Sequence, residues 1–216
     1  STWASPRTRS VESQKSAATA IPTSTAIAAP TPALKHSTLI VNNPVTQGVT
    51  TMSYTFALNV PLKASDKITL TLPTFGLSSV GSVTKSGCGS TTFTAAESNG
   101  GAANAAMTLT AASATLSAYE QCTVNIGAGV TASSAVQTAN LNTRKVAVTL
   151  ADASDVSAVA ITTSTAVAAP VLSTSVLTIA NPVAWAASSL SFRFVSNAPV
   201  KASDTIALTL PTFTLG

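Results

Sequence analysis

The chain has 216 residues, a formal net charge of +4, and only 8% charged and 5% aromatic residues, against the roughly 25% charged of an ordinary globular protein. Eleven bases dispersed from Arg7 to Lys201 do not make the clustered basic face with interleaved aromatics that nucleic acid requires, and no apolar run approaches the roughly 20 residues of a membrane helix. Ser and Thr supply close to a third of the chain, and with so little charge to keep the surface in solution, covalent glycan on those hydroxyls is the expected substitute.

Taken in chain order, short runs that largely alternate polar with apolar residues predict strands at 37–42, 50–58, 67–72, 91–94, 106–110, 121–126, 145–150 and 158–162. Turn residues separate them: Asn43-Pro44, Pro73, Gly87, Asn99-Gly100-Gly101 and Gly127. The small-residue stretch Ala111–Thr115 is compatible with helix, but its Thr and Ser flanks favour strand or loop. Further strands are predicted at about 176–179, 190–195 and 205–210. About eight strands in one unit predict an all-β fold, an immunoglobulin-like antiparallel β-sandwich.

The pattern repeats. Lys63-Ala-Ser-Asp66 and Leu70-Thr-Leu-Pro-Thr-Phe75 return as Lys201-Ala-Ser-Asp204 and Leu208-Thr-Leu-Pro-Thr-Phe213, an offset of 201 − 63 = 138. Asn43-Pro44 returns as Asn181-Pro182, and the linker ending at Pro30 returns ending at Pro170, an offset of 140. Thr8-Arg9-Ser10-Val11 resembles Thr143-Arg144-Lys145-Val146. A period this long is that of a packed domain rather than of a solenoid turn of roughly 20–50 residues. The expected organisation is residues 1–29 as the end of one repeat plus linker, 30–168 as a complete sandwich plus linker, and 169–216 as the first strands of the next. The domains are expected to follow one another in tandem, joined by Thr/Ser/Ala/Pro linkers.

Cys88 and Cys122 lie 34 residues apart within the complete repeat. A disulfide is the favoured reading, since a redox or metal pair normally shows tighter spacing or further ligands, with two isolated thiols as the alternative. His36 is the sole histidine and has no nucleophile or orienting acid assigned to it. Asp66 reads as a turn residue before a strand, and Asp152 with Asp155 as a solvated loop rather than a calcium site, which recruits more oxygen ligands. No phosphate loop, zinc pattern or dinucleotide fingerprint is present. The expectation is therefore no enzyme, no metal and no cofactor.

Glycosylation is where the residues offer chemistry. None of the asparagines stands in an Asn-x-Ser/Thr acceptor, which leaves O-linkage. Candidate acceptors are Thr23, Ser24, Thr25 and Thr31 in the first linker and Thr162, Thr163, Ser164 and Thr165 in the second, with Pro30, Pro32 and Pro170 as secondary candidates after hydroxylation. An unmodified extended linker is the plainer reading.

Three strands of the last repeat would leave apolar faces and edges open, a template for another chain. They are completed either by the continuing chain or by a neighbouring subunit. Arg9, Ser10 and Val11 are the candidate donated segment. Val176, Leu177 and Ile179, with Trp185 at a joint, form the candidate receiving one. The segment matching 76 to about 141 has no counterpart at either end, so a donated tail rebuilds only a smaller shared domain.

Leu72–Phe75, Cys88–Phe93, Cys122–Val124 and Ala139–Arg144 resemble motifs of tandem Ig-like repeat surface proteins of algae and protists. The chain is also similar to the protomers of glycan-coated extracellular fibrils from environmental water. The resemblance implies a secreted or cell-surface structural protein that assembles with itself head to tail, bears O-linked glycans, and has no catalytic residues. Two alternatives are a cell-surface adhesin or stalk segment, and a carbohydrate-binding module. The last would need an aromatic sugar platform, for which Trp3 and Trp185 are the only tryptophans.

Overall fold

The computed structural model describes residues 30–80, 83–152, 154–183, 185–200, 202 and 204–211. Thirteen strands are formed among them, in chain order β1 (Leu34–Val41), β2 (Val49–Leu58), β3 (Lys67–Thr71), β4 (Gly76–Leu77), β5 (Val83–Ser86), β6 (Thr92–Ser98), β7 (Ala106–Ser113), β8 (Cys122–Thr131), β9 (Lys145–Thr149), β10 (Val156–Ala160), β11 (Thr163–Ser164), β12 (Leu172–Ile179) and β13 (Leu190–Ser196). Period-two alternation holds where a strand has one buried face. In β3 and β9, for instance, Ile68, Leu70, Val146 and Val148 point inward while Thr and Ala alternate with them.

The first eleven strands form a β-sandwich. One sheet runs β11-β1-β2-β8, with β4 and β5 both pairing along β8, and the other runs β10-β9-β3-β7-β6. The order β1-β2-β8-β5 facing β3-β9-β10 is that of the A-B-E-D and C-F-G sheets of an immunoglobulin-like fold. The hairpin β6–β7 departs from that plan by adding to the free edge of β3.

Side chains from both inner faces meet in one core. Leu39, Met52, Tyr54, Phe56, Val124 and Ile126 come from the first sheet, and Ile68, Leu70, Met107, Leu109, Val146 and Val148 from the second. Burying one such side chain is worth about 1.5–3 kcal/mol. Tyr54 stacks on Phe56 at 5.7 Å between centroids, and Phe93 meets Phe56 edge-on at 6.2 Å, geometries that aromatic quadrupoles favour.

A Cys88–Cys122 disulfide is formed. It ties Cys88, two residues past the end of β5, to the first residue of β8, so the bond joins two neighbouring strands of one sheet rather than crossing between sheets as in antibody domains.

The stretch Ala111–Thr115, read as strand or loop, is both: Ala111 to Ser113 continue β7 as strand, and the chain turns at Ala114 with φ of 54°. Other elements differ from the sequence reading. The short β4, β5 and β11 escape the alternation pattern because two to four residues are too few to display it. Residues 205–210, expected as a strand on their likeness to β3, are not one. β3 is held on both edges, by β7 and β9, whereas 205–210 have no ladder partner among the described residues, and isolated strands are not stable in water.

Candidate assembly site

The segment read as a free linker is part of the sandwich. Thr163 and Ser164 pair in parallel with Thr38 and Leu39, Val167 bridges Gln137, and Ala168 bridges Val45. The amide of Val41 donates to Thr165 Oγ1 at 3.2 Å. Arg144, fully buried, holds this segment from below. Its Nε and Nη2 donate to Gln137 Oε1 at 2.9 and 2.7 Å, its Nη1 donates to the Thr165 carbonyl, and its guanidinium lies 5.6 Å from the Phe75 ring centroid. Gln137 Nε2 donates in turn to the Pro73 carbonyl. Burial lowers the pKa of Arg144, yet a guanidinium stays charged in proteins, and carbonyl oxygens plus an aromatic face solvate it here. In the sequence, Thr143-Arg144 stands out through its likeness to Thr8-Arg9 and as the end of the Ala139–Arg144 motif. Nothing in that likeness indicated burial.

The second hairpin copies the first residue by residue at the offset of 138. In β1–β2, Ser37, Leu39 and Val41 face Phe56, Tyr54 and Met52. In β12–β13, Ser175, Leu177 and Ile179 face Phe194, Phe192 and Leu190. Both ladders shift register at the same place, between Leu34 and His36 and between Leu172 and Thr174. The supporting bonds recur as well. Asn59 Oδ1 accepts from Ala33 N at 2.6 Å and Asn197 Oδ1 from Val171 N at 2.8 Å, while Asn43 N donates to Thr50 Oγ1 and Asn181 N to Ser188 Oγ. Even the turn residue with positive φ is matched, Gln47 at 59° and Trp185 at 64°.

What differs is cover. Leu39, Met52, Tyr54 and Phe56 are fully buried, whereas their counterparts Leu177, Leu190, Phe192 and Phe194 are only half-buried. Ile206 and Leu208, counterparts of the buried Ile68 and Leu70, are exposed. Trp185 is exposed over its whole side chain, an apolar group held out by a backbone conformation that bulky residues rarely adopt.

Two cavities lie at equivalent poles of successive repeats. The larger, about 630 Å³, is walled by Pro170, Ala198, Pro199 and Asp204 of the second repeat and by Thr46 and Gln47 of the β1–β2 turn. The smaller, about 200 Å³, is walled by Pro30, Val60, Pro61 and Asp66 at the equivalent positions, with Leu150 and Asp152 beside them.

Of the glycosylation candidates, Pro30, Thr31, Thr162, Thr163 and Pro170 are exposed and Pro32 is half-buried. Ser164 is 3% exposed, and Thr165 is half-buried and bonded to Val41. Pairing of β11 with β1 therefore withdraws these two from an open stalk. Val176 is exposed on β12, with Leu177 and Ile179 half-buried beside it. Arg9, Ser10, Val11, Thr23, Ser24 and Thr25 lie outside the described residues. Asp66 is a buried turn residue whose carboxylate accepts from Lys63 N at 2.7 Å and Ala151 N at 2.8 Å. Asp152 pairs with Lys63 Nζ at 2.5 Å and Asp155 accepts from Leu150 N, so the two acids turn to different partners. His36 meets only Thr38 Oγ1, at 3.2 Å, among the described hydrogen bonds.

A scan against protein-family models finds no match, and a search of curated proteins finds none either. Among solved structures, an uncharacterized protein from Nocardia farcinica with an immunoglobulin-like fold is similar at 20% identity and a TM-score of 0.32, over 57% of this chain and 82% of that one. So loose a likeness carries no argument about activity, and the fold stands on the strand order described above.

Proposed function

We propose that the protein is a structural protomer of an extracellular, O-glycosylated fibril assembled head to tail from Ig-like repeats, of the kind its sequence resembles. One observation carries this reading. β12–β13 reproduces the β1–β2 ladder pair for pair, yet among the described residues its inner face of Leu177, Leu190, Phe192 and Phe194 lacks the cover that buries the first hairpin. In the complete sandwich that cover includes β9, from the second sheet, and β11, at the edge of β1, which belong to the stretch 143–170. Residues 8–30 carry a related sequence. Supplied by a neighbouring subunit, or by a continuing chain, such a segment would close a smaller shared sandwich of three strands from each side. A heterologous contact of this kind does not close on itself and propagates as a filament.

The remaining features agree. Disulfides belong to oxidising compartments, and among the described residues no helix is long and apolar enough to cross a membrane. Exposed Thr31, between Pro30 and Pro32, and exposed Thr162 and Thr163 at the edge of the sandwich suit O-linked glycan. Electron microscopy combined with intact-mass analysis tests the proposal. The expected result is unbranched polymers whose protomer mass exceeds 21.5 kDa by sugar increments. Bare 21.5 kDa monomers at all concentrations would overturn it.

A further inference from the structure

We infer that Trp185 is the docking residue of the joint between subunits, and that it seats in the cavity walled by Pro30, Val60, Pro61 and Leu150 of a second copy of this chain. The inference rests on the head-to-tail reading and adds to it the contact that sets one repeat upon the next.

The joint already present within the chain supplies the pattern. There the β1–β2 turn, at Thr46 and Gln47, forms one wall of the larger cavity, while Pro170, Ala198, Pro199 and Asp204 of the following repeat form the other. Subtracting the repeat offsets from that second wall gives Pro30, Val60, Pro61 and Asp66, which line the smaller cavity. Adding 138 to Gln47 gives Trp185, with the same positive φ. The chain thus presents both halves of a second joint of the same form, a turn residue at one end and a pole cavity at the other. Joining them takes two copies.

The chemistry of the two halves is complementary. The indole has 103% relative exposure, and burying a tryptophan contributes more to an interface than burying almost any other side chain. Val60, Pro61 and Leu150 offer it apolar walls. Lys63, which also lines the cavity, offers a cation to the ring face, and the exposed Asp152 offers an acceptor to the indole N–H. The joint inside one chain is held covalently through the linker and makes do with Gln47. A joint between separate chains has no such tether and needs a stronger anchor, which the tryptophan provides.

A W3F chain, in which Trp185 is the sole indole, provides the test. On assembly, followed by sedimentation, Trp185 emission should shift to the blue and its quenching by iodide should fall several-fold. W185A should raise the concentration at which half of the chains are assembled by about 30-fold, the cost of removing an interface hot spot. Its thermal melting should be unchanged, because the side chain supports nothing within the subunit. A W185C/P61C chain, mildly oxidised, should give a ladder of covalent multiples that neither single variant gives. Polymers in which Trp185 stays as quenchable as in the monomer, with no ladder, would overturn this inference and leave the fibril reading standing. A chain that does not associate at any concentration would overturn both.

Discussion

Among single residues, Tyr54 and Arg144 show how the sandwich accommodates polar atoms in its interior. The Tyr54 hydroxyl is buried and shares a 3.1 Å hydrogen bond with Ser37. Burial pushes its pKa well above the ordinary phenol range, and the Ser37 bond opposes this only in part. The folded pKa is therefore raised, so the stability it contributes is complete below the unfolded tyrosine pKa of about 10 and is lost as pH climbs beyond it, by about 1.4 kcal/mol per pH unit. Tyr54→Phe should remove that alkaline slope in urea titrations between pH 9 and 12. At neutral pH it should cost about 1 kcal/mol, since Ser37 loses its partner. The second repeat carries Ser175 and Phe192 at these positions, so the pocket shape tolerates phenylalanine. An unaltered alkaline slope in the variant would show that Tyr54 ionises in the folded state. Arg144 solves a different problem, pinning β11 through the Thr165 carbonyl while Gln137 and Phe75 take up the rest of the guanidinium.

Among the elements, β4 and β5 are short and depend on their surroundings. The approach of 77–79 to β8 requires Gly129, whose φ is 78° and where a Cβ would lie 2.3 Å from the Ser78 carbonyl oxygen. The disulfide then anchors the chain leaving β5 to the start of β8. A cross-link closing a loop of this length is worth about 3–4 kcal/mol on chain-entropy grounds. Cys88→Ala/Cys122→Ala should accordingly lower Tm by roughly 10 to 15 °C. Hydrogen exchange should show loosening at 76–92 first, with β3, β7 and β9 protected to the end. Uniform loss of protection across both sheets would mean that the bond supports the whole sandwich rather than this edge.

For the molecule as a whole, the decisive contrast lies between two hairpins of the same design in different company. If the uncovered face of β12–β13 is closed by residues 8–30 of a neighbour, a synthetic peptide of residues 1–30 should cap growing ends. At a several-fold molar excess it should shorten the polymers seen by electron microscopy, whereas a scrambled peptide should not. Polymers of undiminished length would assign the cover to a continuing chain instead. Of the exposed hydroxyls, Thr31 stands between two prolines ahead of β1, and Thr162 and Thr163 lie at the β11 edge of the sandwich, where glycan would sheathe a fibril without entering the core.

Most of the strands were legible in the sequence, because a strand with one buried face writes its period of two into the residues, as Ile68-Thr69-Leu70-Thr71 and Val146-Ala147-Val148-Thr149 do. The repeat was legible too, since Asn43-Pro44 and Lys63–Phe75 recur letter for letter or nearly so. Other features depend on neighbours distant in the chain. Residues 67–71 and 205–209 are nearly the same string, yet only the first is a strand, because β7 and β9 flank it. Ser164 reads as a linker hydroxyl and is buried only because β11 lies along β1. Nothing in Arg144 as a letter separates it from a solvated surface base. Local periodicity is a property of the chain, and so the sequence alone determined the all-β class and displayed the internal repeat. Pairing and burial are properties of what the chain packs against, and so only the tertiary structure decided which of these look-alike segments are strands, which are buried, and which remain open to a partner.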